Sequence, residues 1–171
     1  MQANVSLRDM YEIYPTGEIN ITTEQQLLTE HDVIVFQYPF YWYSCPPLMK
    51  QWIDQVLTLN WAYGPQGSAL QGKYWAQAFS HGGGLETYNR DARNHFSLAE
   101  LLRPFEQTAC LCKMRYLRPF MTELVAVGDE AYLNNHAESY RAWLDGMVLG
   151  NLPDEVNSHF APQVDYIKTQ T

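Results

Sequence analysis

Cysteine is scarce here: three thiols, Cys45, Cys110 and Cys112, in 171 residues. An odd number with no framework spacing excludes a disulfide-stapled secreted fold and points to a reducing compartment. Cys110 and Cys112 are too close for a zinc pair and have no second pair, so both read as small core residues, and Cys45 as packing. Basic residues are few as well, 11 Lys and Arg against 19 Asp and Glu. The net charge of −8, with no basic cluster, excludes nucleic acid as a partner. No apolar run approaches the roughly 20 residues that span a bilayer. The start, Met1-Gln-Ala-Asn-Val-Ser6, has neither the basic region nor the apolar core of a signal peptide. His-Glu-x-x-His spacing is missing, and Gly64-Pro-Gln-Gly67 lacks the Lys and Ser of a phosphate loop. The sequence therefore predicts no metal site and a soluble, cytoplasmic chain that meets a membrane only through a protein partner.

What is abundant is apolar and aromatic. Apolar residues make up 46 % and charged ones 18 %, a balance that folds rather than stays disordered. At this length one domain over 1–150 is expected, followed by a tail over 151–171 without firm periodicity.

The densest signal runs from Asp32 to Asp54. Val33 to Phe36 is an unbroken apolar run, the mark of a buried parallel strand that must end near Tyr38 because Pro39 cannot continue it. Pro46 and Pro47 suit a first helical turn, with Ser44 as a candidate N-cap. Between these limits stand Phe40, Tyr41, Trp42 and Tyr43, at the carboxyl end of a strand where open α/β sheets bind ligands. Four flat side chains there suit a flat, partly apolar ligand; the alternative is a subunit interface, where aromatics are also enriched.

The remaining elements alternate. Val5 to Tyr11 suggests a strand, and Thr22 or Thr23 opens a short helix, Thr22 and Gln25 forming a capping box. Apolar residues at 48, 49, 52, 53, 56 and 57 predict an amphipathic helix over Pro47 to Leu59. Tyr74 to Phe79 reads as a strand ending at Ser80-His-Gly-Gly-Gly84, and Ser97 to Ala109 as a helix broken or kinked at Pro104. The glycines are a close-approach loop or, alternatively, a flexible turn. Met114 to Val127 predicts a strand and Asp129 to Met147 a last helix. Alternation of this kind means a parallel sheet with helices on both faces.

The run Tyr38-Pro-Phe-Tyr-Trp-Tyr-Ser-Cys-Pro-Pro-Leu-Met-Lys-Gln-Trp-Ile-Asp54, with Asn60-Trp-Ala-Tyr-Gly64, Ser80-His-Gly-Gly-Gly84 and Leu102-Arg-Pro-Phe-Glu106, resembles the flavodoxin-like NAD(P)H:quinone oxidoreductases. Within them it is most similar to the ancillary subunits of glutathione-gated Kef potassium-efflux systems, over roughly residues 3 to 145. The resemblance implies a flavodoxin-like, open, doubly wound parallel sheet. It also exposes a departure: the family opens with a strand, a phosphate-binding loop and a helix, whereas Val5 to Tyr14 resembles its second strand. The expected fold is one βα unit short, which predicts weak flavin binding by this chain alone.

By the same resemblance, Phe40, Tyr41, Trp42 and Tyr43 lie along a flavin ring, and Ser80, His81, Gly82 and Gly83 form a second flavin-contacting loop in which His81 replaces a threonine. Tyr88 and His95 match a Tyr and a His that stabilise charge on the reduced flavin, at a spacing about one residue longer. The implied cofactor is FMN, with FAD as alternative, and NAD(P)H is co-substrate. The implied activity is two-electron, ping-pong reduction of quinones or similar electrophiles, exercised while regulating a potassium/proton antiporter. A non-catalytic regulatory subunit that has lost flavin phosphate binding is the alternative. A homodimer is expected, with Trp61 and Tyr63 near the partner.

Overall fold

In the computed structural model, residues 5–123 and 129–156 are described. Four parallel strands form one sheet: β1 (Val33–Pro39), β2 (Tyr74–His81), β3 (Arg115–Tyr116) and β4 (Phe120–Glu123). β2 is central, pairing with β1 on one side and with β3 and then β4 on the other. Among the described residues β1 pairs with β2 alone, so its outer edge is open.

Alternation sorts the side chains onto two faces. Phe36 stacks on Trp75 with centroids 4.2 Å apart and meets Trp52 of α3 (Pro47–Val56) edge-on at 5.5 Å. This face holds the main core, covered by α2 (Ile21–Glu30), α3, α4 (Leu98–Leu101) and α5 (Arg103–Leu111). On the other face Val33, Val35 and Ala76 meet Leu117, Trp143 and Met147, the last two from α6 (Glu130–Val148). Helices on both faces of a parallel sheet give the doubly wound α/β architecture the sequence predicts. β2 is buried nearly throughout, whereas Val33 to Phe36 of β1 are only half-buried, a consequence of the open edge.

Local chemistry corrects several expectations. Val5 to Tyr11 is not a strand: Asp9 accepts from the Tyr11 and Glu12 amides and caps a single turn, α1 (Met10–Ile13). An aspartate ahead of free amides wins over a weak alternation. α2 starts earlier than Thr22, because Asn20 accepts from the Thr23 amide at 3.1 Å and takes the capping role. Ser44 does not cap α3, whose N-cap is Pro46; the Ser44 amide instead closes a turn onto Tyr41. The predicted long strand divides into β3 and β4 around Pro119, and 124–127 lie outside the described residues.

Other expectations stand. Pro104 falls in the first turn of α5, so the helix expected from Ser97 breaks between α4 and α5; a capping box of Ser97 with Glu100, which the sequence did not single out, starts α4. Cys112 is buried, which pushes its thiol up to about 11. Cys110 is exposed and not a core residue, because positions two apart diverge on a helix. Residues 154–156 of the predicted tail run along β3, through Arg118 N–H to Asp154 and Val156 N–H to Tyr116. Residues 157–171 of that tail lie outside the described residues.

The first helices are tied to α3 by a buried carboxylate. Glu24 accepts from Arg8 at 2.5 Å, from the Tyr14 hydroxyl at 2.7 Å and from the Trp52 indole at 3.0 Å. Three donors satisfy a charge that would otherwise be costly to bury. No described helix is long and apolar enough to cross a membrane.

Candidate functional site

The register of β1 on β2 brings Pro39 opposite Ser80, so both strands end together. The Phe40 amide donates to the Ser80 carbonyl at 2.7 Å and locks the aromatic loop to the glycine loop. Between the loops lies a cleft of about 390 Å³, lined on one side by Phe40, Tyr41, Trp42 and Tyr43, and on the other by Gly82, Gly83, Thr87, Tyr88, Arg93 and Asn94. Its size is that of a small-molecule site, at the sheet edge where this architecture binds ligands.

The aromatic loop divides into two roles. Phe40 is buried, tilted against Phe79 at 5.2 Å and edge-on to Tyr88 at 6.5 Å, so its ring is a floor of the core. Tyr41, Trp42 and Tyr43 form a short 3₁₀ turn with exposed rings, Trp42 to 92 %. Trp42 and Tyr43 have φ of 50° and 62°, a left-handed conformation that costs a side-chain-bearing residue about 1–2 kcal/mol each. No core packing holds the exposed indole there. Strain of this kind, kept where packing does not require it, collects at ligand sites.

The glycine loop is built for approach. A Cβ on Gly82 would meet nothing within 4 Å and would stand in the cleft. A Cβ on Gly83 would come within 2.7 Å of the Thr87 hydroxyl, and one on Gly84 would collide with the Glu86 carboxylate. Asn94 holds the two walls together: it accepts from the Tyr43 hydroxyl at 3.2 Å and donates to the Thr87 hydroxyl at 3.0 Å.

Of the sequence-predicted residues, the structure brings Phe40, Tyr41, Trp42, Tyr43, Gly82, Gly83 and Tyr88 into one cleft. Ser80 serves through its carbonyl and lies beneath the lining. His81 is buried behind it: Nδ1–H donates to the Gly83 carbonyl at 2.7 Å, Nε2 has no partner, and the ring stands edge-on to Tyr88 at 5.4 Å. Burial holds His81 below the ordinary imidazole range, and raises Tyr88 above the ordinary phenol range. The structure does not bring His95 into the group; it is exposed, has a φ of 58°, and stands outside the lining. Trp61 and Tyr63 are half-buried against the main core.

Thr87, Arg93 and Asn94 are site residues that the sequence did not single out. Their segment, Glu86-Thr-Tyr-Asn-Arg-Asp-Ala-Arg-Asn94, has no apolar period and reads only as a polar loop. Its density of hydrogen-bonding side chains beside the glycines is the one signal that could have raised it.

The family model of the flavodoxin-like fold matches residues 1–144. The chain belongs to the flavodoxin-like family. A glutathione-regulated potassium-efflux system ancillary protein, KefG, of Pectobacterium atrosepticum is 43 % identical over 153 residues, 90 % of this chain and 81 % of that relative. The general stress protein 14 of Treponema denticola, solved in complex with FMN, superposes with a TM-score of 0.78 at 42 % identity, covering 82 % of this chain and 80 % of its own. An NADPH-quinone reductase from P. pentosaceus superposes with a TM-score of 0.68 at 34 % identity, covering 73 % of this chain and 74 % of its own.

A flavin ring fits the residues present. The exposed rings of Trp42 and Tyr43 offer stacking surface, Gly82 leaves room, and backbone at both strand ends supplies polar groups. A phosphate finds less: Arg93 is the one cationic residue among the cleft's described lining.

Proposed function

We propose that this protein is a flavin-dependent NAD(P)H:quinone oxidoreductase that serves as ancillary regulator of a glutathione-gated potassium/proton antiporter. The observation that carries the reading is the cleft itself, in which exposed, strained aromatics and Gly82 face each other where β1 and β2 end. The likeness to an FMN complex, an NADPH-quinone reductase and a Kef ancillary protein supports it. FMN is the favoured cofactor, and when bound it supplies the two-electron hydride chemistry. The net reaction takes a hydride from NAD(P)H and a proton from solvent and delivers both to a quinone, leaving NAD(P)⁺ and hydroquinone. The reductant would leave before the quinone enters, both using the same cleft in ping-pong order.

The chain's own residues bind and orient. Trp42 and Tyr43 would offer stacking surface to the ring, Gly82 would let it approach the backbone, and Asn94 fixes the spacing of the walls. Tyr88, neutral at physiological pH, donates a hydrogen bond from its hydroxyl toward developing charge. His95 receives no role here, given its place outside the lining. The protein acts in the cytoplasm, peripheral at the membrane through its antiporter partner. It assembles as a homodimer with Trp61 and Tyr63 toward the second copy. A mass of one chain, 19.8 kDa, in light scattering at micromolar concentration would refute the dimer.

A second reading, a non-catalytic regulatory subunit, is favoured by the open edge of β1 and the shortage of cationic lining. A visible spectrum of the purified protein, followed by NADPH oxidation with and without quinone, separates the two. With FMN added in excess, a perturbed flavin band near 450 nm (roughly) and quinone-dependent turnover are expected; a protein that leaves the FMN spectrum unchanged and is inactive, yet still binds the antiporter, would establish the second.

A further inference from the structure

The cleft contains one side chain whose chemistry the reading above leaves unused. Arg93 is the only charged residue among its described lining, in a chain whose net charge is −8. Among the described residues its guanidinium makes no ion pair and no hydrogen bond. The neighbouring Arg90 shows the contrast, being engaged with Glu100 at 3.2 Å.

The backbone carrying Arg93 is held in place from both sides. The Ala92 amide donates to the Asn89 carbonyl at 3.3 Å, and the Asn94 amide to the Thr87 carbonyl at 3.1 Å. The Asn94 side chain is tied to Thr87 and to Tyr43. A free guanidinium on a pinned backbone, at the rim of an aromatic cleft, is a cationic donor open to an anion. Guanidinium groups match phosphate in planar, paired fashion, and a charge-assisted bond of this type is about twice as strong as a neutral one.

We propose that Arg93 is the phosphate-recognising residue of this cleft, pairing with the phosphate of an aromatic nucleotide whose ring lies against Trp42 and Tyr43. The inference rests on the cleft being a nucleotide site, as the proposed function requires. Two sources share this chemistry: the flavin phosphate, and the phosphate that distinguishes NADPH from NADH. In either case Arg93 sets which member of a pair the site prefers.

The test is calorimetric titration of the whole chain with FMN against riboflavin and with NADP⁺ against NAD⁺, in wild type, Arg93→Gln and Arg93→Lys. Arg93 is exposed and unpaired, so both variants should fold, as circular dichroism will verify. Wild type should favour the phosphorylated member of at least one pair about tenfold, Arg93→Gln should abolish that preference, and Arg93→Lys should keep part of it. The pair affected identifies the phosphate, and added salt should erode the preference. Equal binding of both members by wild type, or an undiminished preference in Arg93→Gln, overturns the proposal while leaving a flavin site intact. Preference for NADP⁺ that depends on Arg93, without any flavin binding, upholds it and refutes the flavin reading. Binding of none of the four ligands refutes both.

Discussion

The Tyr43 hydroxyl donates to the Asn94 side chain at 3.2 Å, joining loops 51 residues apart in sequence across the mouth of the cleft. If this bond sets the wall spacing, Tyr43→Phe and Asn94→Ala should each weaken ligand binding several-fold. The double variant should lose little more than the worse single one. A double-mutant cycle on FMN affinity should give a coupling of about 0.5–1.5 kcal/mol; additive losses would show the two walls to be independent.

Trp42 should reveal a conflict between stability and binding. Its left-handed backbone is strained and its ring unpacked, so Trp42→Gly should raise the unfolding free energy by about 1 kcal/mol. The same change, like Trp42→Ala, should remove the stacking surface and lower flavin content and quinone reduction together. Tyr132→Phe on α6 should leave both unchanged. Unaltered flavin content in Trp42→Ala would show that the loop is not the ring's platform.

A branched side chain at Gly82 should block the cleft without harming the fold. Gly82→Val has open space at Cβ, so its melting temperature should stay within a few degrees of wild type. Its ligand affinity should fall at least tenfold, since the side chain occupies the space a ring would take. Wild-type affinity in this variant would place the ligand elsewhere.

One buried imidazole, His81, and one half-buried, His136, make the fold sensitive to mild acid. Burial lowers both His81 and His136 below the ordinary value. The unfolded chain therefore takes up protons first as pH falls. Stability is complete above the unfolded pKa of about 6.5 and declines below it, until the native groups also protonate. Urea midpoints measured from about pH 7.5 to about pH 5.5 should fall, and less so in His81→Asn, which keeps a donor for the Gly83 carbonyl. An identical slope in wild type and variant would remove His81 from this account.

The open edge of β1 predicts weak flavin binding by this chain. Val33 to Phe36 are half-buried, and the outer edge of β1 pairs with no other described strand, which leaves the cleft's first wall poorly supported. FMN titration of the chain should show weak binding, and a strand and phosphate loop supplied beside β1 should give a yellow, more stable protein. Tight, stoichiometric binding by this chain would refute the argument.

The parts of this architecture written in short-range chemistry were legible in the sequence. The Val33 to Phe36 run, Pro39 and the paired prolines each declare an element within a few residues, whereas the Ser97 capping box went unread. The cleft was legible where a strand end met aromatics or glycines. Asn94 and Arg93 were not, because their place in the lining depends on loops coming close in space, as Asn94 does to Tyr43 and Thr87, which no spacing encodes. Val5 to Tyr11 misled for a related reason: a strand needs a neighbour to pair with, and a lone aspartate sufficed to start a helical turn instead.

Among the described strands β2 alone is hydrogen-bonded on both sides, and both walls of the cleft hang from its carboxyl end. Its amides should therefore be the slowest to exchange with solvent. The shape of the site is then inherited from the most protected unit of the molecule. The loops can breathe while their anchor does not, so ligand entry requires only motion of side chains and turns, and the sheet keeps its order throughout.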